Sequence, residues 1–178
     1  MAAINIESND HNNVYNIVCK NYIVNDCQTP IFLILQNRNN KLEGEIGNLH
    51  NVTVQNFTCN YSTRASQINV GCGGGKIRNI IIDTITIHNY EIYAETISPI
   101  LPDGLIYPEA TNYGRMPAFG LFARETDSLK FQGDINFFDN SITKRPMIWV
   151  ENVTNLVSDN FLIEENIVGS FSCSDALK

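Results

Sequence analysis

One nine-residue pattern returns along this chain and limits what it can fold into. It runs from Asn16 to Val24, again from Asn51 to Cys59, from Asn79 to Ile87 and from Asn155 to Ile163. Counting from the first Asn, apolar or small residues fall at +1, +3, +6 and +8, with Asn or Thr at +5. Alternation with period 2 marks a strand with one buried face, and the phase break at +5 marks a corner between two short strands. A weaker copy, Ser128 to Phe137, carries one extra residue, as a bulge does. About 14 residues after a copy comes a second apolar strand, on the order of a β unit plus its loop. These strands are Pro30–Leu35, Gln67–Cys72, Ala118–Ala123 and Pro146–Val150.

Repeats of this length with short strands and no helical period belong to solenoids, whose coils stack neighbour on neighbour. The fold expected is all-β, a right-handed parallel β-helix of three sheets, with the pattern starts 16, 51, 79, 128 and 155 in register. Composition agrees: 24 Asn and 23 Ile against 8 Ala favour turns and strands over helix. A sandwich needs hairpin turns, and the one tight-turn dipeptide of the usual kind, Asp103-Gly104, sits inside a long irregular stretch. Equivalent residues of stacked coils lie ~4.8 Å apart, so an amide ladder is expected at Asn21 and Asn56. Residues expected to point inward are Ile17, Cys19, Tyr22, Val52, Val54, Phe57, Ile80, Ile82, Ile85, Leu156 and Phe161. The chain divides into a lead-in or cap over 1–15, coils over 16–168 interrupted by a long loop at about 98–117, and a tail over 169–178.

Several classes of function are disfavoured. Twelve Lys and Arg against 19 Asp and Glu give a net charge of −7, which repels a phosphate backbone, so no nucleic-acid partner is expected. The longest wholly apolar runs, such as Ile31–Leu35, fall far short of the roughly 20 residues of a membrane-spanning helix, so no membrane partner is expected either. Residues Met1–Glu7 lack the basic and then apolar regions of a secretory signal. Cys19, Cys27, Cys59, Cys72 and Cys173 are odd in number and form no Cys-x-x-Cys pair. That argues against a zinc site and a complete disulfide framework and favours buried thiols. Sequons at Asn51, Asn56, Asn60 and Asn152 arise readily in so Asn- and Thr-rich a chain and fix no compartment.

Tyr107-Pro108-Glu109, Gly114 and Pro117-Ala118-Phe119-Gly120-Leu121-Phe122-Ala123-Arg124 resemble the C-terminal part of family 28 glycoside hydrolases, the polygalacturonase-like pectin-degrading enzymes. Pro30–Leu35 with Gln36-Asn37-Arg38 resembles that family's "PIF...NR" strand, and Lys76-Ile77-Arg78-Asn79-Ile80 its "I-x-N-I" coil opening. The matching pieces span roughly residues 13 to 165. The resemblance implies a β-helix incomplete relative to the full family domain, an acidic pectin-like polysaccharide as partner, no cofactor, and an extracellular or periplasmic setting. It also implies that catalysis lies N-terminal to the matched part. The family's Asn-Thr-Asp, Asp-Asp, Gly-His-Gly and Arg-Ile-Lys are all missing here, so no catalytic residue is assigned. Hydrolysis with inversion needs two carboxylates roughly 6.5–9.5 Å apart around the scissile bond, and the chain is expected to be inactive alone.

Other residues offer little. Glu164-Glu165 read as a solvated tail, Asp134 and Asp139 as turn residues, and His11, His50 and His88 as surface or corner residues rather than metal ligands. Gly71-Cys72-Gly73-Gly74-Gly75 reads as a permissive turn, because no helix follows it to bind an anion. The candidate substrate contacts are Arg38 and Asn37 at a strand end, where a guanidinium can pair with a uronate, and Tyr107 and Tyr113, whose rings can stack on a pyranose or bury the loop. Alternative readings are a β-helix that binds acidic polysaccharide without cleaving it, and a structural solenoid. A first coil covered only by Ile4, Ile6, Val14 and Tyr15 leads to an expected self-association through the N-terminal end.

Overall fold

The computed structural model describes residues 1–37, 47–71, 75–91, 107–142 and 145–159. It is all-β, with eight strands: β1 (Ala2–Asn9), β2 (Asn13–Val24), β3 (Thr29–Gln36), β4 (Asn48–Ser62), β5 (Ser66–Val70), β6 (Ile77–Asn89), β7 (Leu121–Asp139) and β8 (Ile148–Ser158). Every strand pairing among them is parallel. The stacking follows the sequence repeat: Ile17 pairs with Val52, Val52 with Ile80, Ile80 with Leu129 and Leu129 with Leu156. The second strands stack likewise, Leu33 on Ile68, Ile68 on Ala123 and Ala123 on Val150.

The walls are not three separate sheets. All strands join one sheet in the order β1-β3-β5-β7-β6-β4-β2, with β8 on β7. The reason lies at the corners, where one residue turns the chain without ending the pairing. Asn16, Asn21, Asn51, Asn56, Asn79, Thr84, Asn152 and Asn155 have φ between 50° and 65°. Asn adopts this left-handed conformation more readily than other side-chain-bearing residues. Once the corner is made, its amide also bonds along the stack. Asn79 Nδ2 donates to Asn51 Oδ1 at 3.0 Å and Asn51 Nδ2 to Asn16 Oδ1 at 2.9 Å. The expected ladder from Asn56 to Asn21 is present at 3.1 Å. In β7 the extra residue shifts the register between Asp83 and Ile85, and Gly133 (φ +67°) absorbs it.

The interior is filled by the inward residues of the coils. Val52, Val54, Phe57, Ile80, Ile82 and Ile85 are buried, while Ile17, Cys19 and Leu156 are half-buried and pack against that core. Tyr22 corrects the expectation. It shares a column with Phe57, yet it is 46% exposed, because β2 is the last strand of the sheet and no described strand pairs on its outer side. Phe161 lies outside the described residues. Residues 1–15 do more than lead in: β1 pairs with β3 from Ala2–Thr29 to Asn9–Gln36 and buries Ile4 and Ile6.

Candidate functional site

Strand β3 is buried along its whole length, unlike a wall with one face in solvent. Its inward residues Ile31, Leu33 and Leu35 join the interior core, and its outward residues Phe32 and Ile34 join a second cluster with Ala110, Tyr113, Met116 and Phe122. A segment from the long loop therefore covers the outer face of β3 and β7. It is pinned through polar groups: Tyr113 Oη donates to Gln36 Oε1 at 2.5 Å, Gln67 Nε2 to the Ala110 carbonyl at 3.1 Å, and Arg64 Nη1 to the Gly114 carbonyl at 3.0 Å.

This decides how the expected sugar contacts are used. Tyr113 is fully buried, its ring 5.6 Å from that of Phe32, so of the two uses open to it, stacking on a pyranose or burying the loop, it takes the second: the apolar outer wall of β3 holds the ring, and the expected sugar contact at Tyr113 is not available. Tyr107 is 59% exposed, and its carbonyl accepts from Asn112 Nδ2 at 2.7 Å, holding the loop's own turn. Asn37 is buried at the end of β3 with its Nδ2 3.2 Å from His11 Nε2. Arg38 lies outside the described residues, as do Asp103, Cys72–Gly74 and Glu164-Glu165.

Further charged groups are buried in the structure, some of them against the covering segment. Glu91 Oε2 accepts from Arg145 Nη2 at 2.6 Å, both side chains nearly inaccessible, and Arg115 Nε stands 3.6 Å from Glu91 Oε1. Arg145 Nη1 donates to the Met116 carbonyl at 3.0 Å, so the pair also clamps the loop segment. Glu151 accepts from Arg124 Nε at 2.6 Å and from Trp149 Nε1 at 3.1 Å. Asp83 accepts from Gln55 Nε2 at 2.8 Å and Gln132 Nε2 at 3.0 Å, one partner from each neighbouring coil. The Gln132 bond, with help from Thr84 and Gln55, holds the Asp83 carboxyl below its ordinary value against the cost of burial. The Asp83 column and the Arg124–Glu151 pair follow the register of the repeat, the latter through its 27-residue step; Glu91 and Arg145, 54 residues apart, share no pattern position. Asp134 and Asp139 lie in β7, where Asp139 Oδ1 accepts from the Ser141 amide at 2.8 Å, a turn contact. No group of three or more His, Cys, Asp or Glu among the described residues is arranged to hold a metal ion.

Set against protein-family models, curated proteins and solved structures, the chain matches none of them.

Proposed function

We propose that this chain is a right-handed parallel β-helix segment of the polygalacturonase-like kind that keeps the coil framework and performs no hydrolysis by itself. Parallel strands joined through crossovers are right-handed in about 98% of cases, which supports the handedness. The observation that carries the functional reading is the state of the buried carboxylates. Among the described residues these are Asp83, Glu91 and Glu151, and each is held by protein donors. A general acid and a base for glycoside hydrolysis must be open to the scissile bond.

A structural module is favoured over an acidic-polysaccharide binder. Net charge is −7, and Arg124 and Arg145 are buried and already paired with carboxylates. The test is incubation with polygalacturonate, reading reducing ends and retention on the immobilised polymer separately at physiological salt. Neither release nor retention is expected. Turnover that survives repurification and is lost in Glu109→Gln or Asp134→Asn overturns the silent reading; retention without turnover replaces it with the binding one.

The N-terminal end belongs to the same reading, as a self-association surface for a second copy of the chain. β1 and β2 are the outermost strands of the sheet, and Val18 and Ile23, 65% and 77% exposed, stand where the next coil carries Thr53 and Thr58. An open edge with apolar residues pairs readily with a like edge, and two copies can do so about a two-fold axis. Light scattering is expected to show a concentration-dependent dimer that Val18→Lys with Ile23→Lys abolishes. A monomer at every concentration refutes it.

A further inference from the structure

Two cysteines from successive coils meet at the N-terminal end of the stack. Cys27 lies between β2 and β3, Cys59 lies in β4, and their Sγ atoms are 3.4 Å apart. The backbone fixes both positions. Cys27 N donates to the Tyr61 carbonyl at 3.1 Å and bridges to Ser62, while Cys59 is paired with Val24 on one side and Ile87 on the other. Their exposure differs: Cys59 is fully buried, whereas Cys27 is half-buried and lines an open cavity of about 740 Å³ with Met1, Asp26, Gln28 and Tyr61.

We propose that Cys27 and Cys59 are a modification site, forming an intramolecular disulfide when the protein meets a small-molecule disulfide oxidant. A disulfide needs ~2.05 Å between sulfurs, so the pair must close by about 1.4 Å. Cys27, at the cavity, is the side that moves. Its thiolate attacks the oxidant, forming a mixed disulfide and expelling one thiolate. The Cys59 sulfur then attacks Cys27 Sγ, forming the Cys27–Cys59 bond and expelling the second. The two protons leave with the two expelled thiols, so two cysteine thiols are oxidised and one small disulfide is reduced. Either sulfur can donate the hydrogen bond they share, so the first proton lost comes off the pair as a unit. The first step therefore quickens as pH rises, because the thiolate is the nucleophile. The product staples the coil at this end of the described sheet to the coil beneath it.

The experiment incubates the full chain with oxidised glutathione at pH 8.5, alkylates the remaining thiols in denaturant, digests without reductant and reads the linked peptides by mass. A Cys27–Cys59 linked pair that separates on reduction is expected. It closes a chain loop of 32 residues, so reduction is expected to lower Tm by roughly 5–15 °C. Cys27→Ser and Cys59→Ser are expected to lack both the linked pair and that Tm response. Recovery of both cysteines fully alkylated, of Cys27 carrying glutathione alone, or of either cysteine linked elsewhere overturns the proposal.

Discussion

Replacing Glu91 by Gln tests whether the buried ion pair holds the covering loop on the β-stack. Gln keeps the shape of the side chain and removes its charge. Arg145 then sits with its guanidinium almost wholly out of solvent, opposite a neutral amide, and Arg115 loses the same partner at 3.6 Å. Removing one member of a buried pair costs ~3–5 kcal/mol, because the remaining charge stays desolvated without compensation. For a chain of this size the urea m-value is on the order of 2 kcal/mol/M, so the midpoint is expected to fall by roughly 1.5–2.5 M at unchanged m. The chain's single tryptophan, Trp149, packs against the cluster that the loop covers, so its emission follows the transition where it matters. Lys130→Met is the control: its amine stands 3.8 Å from Asp159 with both side chains exposed, and such surface pairs contribute ~0–1 kcal/mol. If Glu91→Gln shifts the midpoint no more than Lys130→Met does, the pair is not what anchors the loop.

Other perturbations probe the stack itself. Asp83 has a folded-state pKa below its unfolded value, so its contribution is present above about pH 4 and fades as pH falls through the lower folded value. The stability gap between wild type and Asp83→Asn is therefore expected to narrow in acid, and a gap constant from pH 7 to pH 2 in urea titrations contradicts this. Gly133→Ala forces a side chain into a left-handed residue and brings Cβ to 2.3 Å from Thr84 Oγ1, so a loss above about 1 kcal/mol is expected by thermal unfolding. Phe57→Ala is expected to cost ~3–5 kcal/mol, and Tyr22→Ala in the same column well under half of that, because the terminal ring is already half in water. Equal losses at the two positions would place another layer over Tyr22.

What the sequence made legible is what the repeat enforces. Copies spaced 35, 28, 49 and 27 residues apart are the copies that pair, and the extra residue in the Ser128 copy appears as Gly133. The pattern works because each coil needs the same things: apolar residues inward and a corner residue that tolerates positive φ. It says nothing about position in the stack. Tyr22 and Phe57 occupy equivalent places in their copies, yet one is exposed and the other buried. Strand β1 carries alternation at Ile4, Ile6 and Ser8 without the Asn corner, so the repeat does not announce it. The Cys27–Cys59 contact was within reach: the 35-residue step sets Cys59 against Val24 and Cys27 against Ser62, which brings two thiols to one corner.

The features that break the repeat are also those that cover the outer face of β3. A solenoid wall is open to ligands only where no loop lies on it, and the strand end carrying Asn37 adjoins Gln36, which is taken by Tyr113. Arg145 and Glu91 lie outside the pattern positions and clamp Met116, so the loop is held by charge as well as by apolar contact. A uronate approaching the face of β3 would have to displace a buried tyrosine and break that clamp before reaching a guanidinium already paired with carboxylate. The cost of removing either buried partner, ~3–5 kcal/mol by the argument for Glu91, is comparable to the whole free energy of a millimolar sugar contact. The covered face of β3 is thus part of the protein's core.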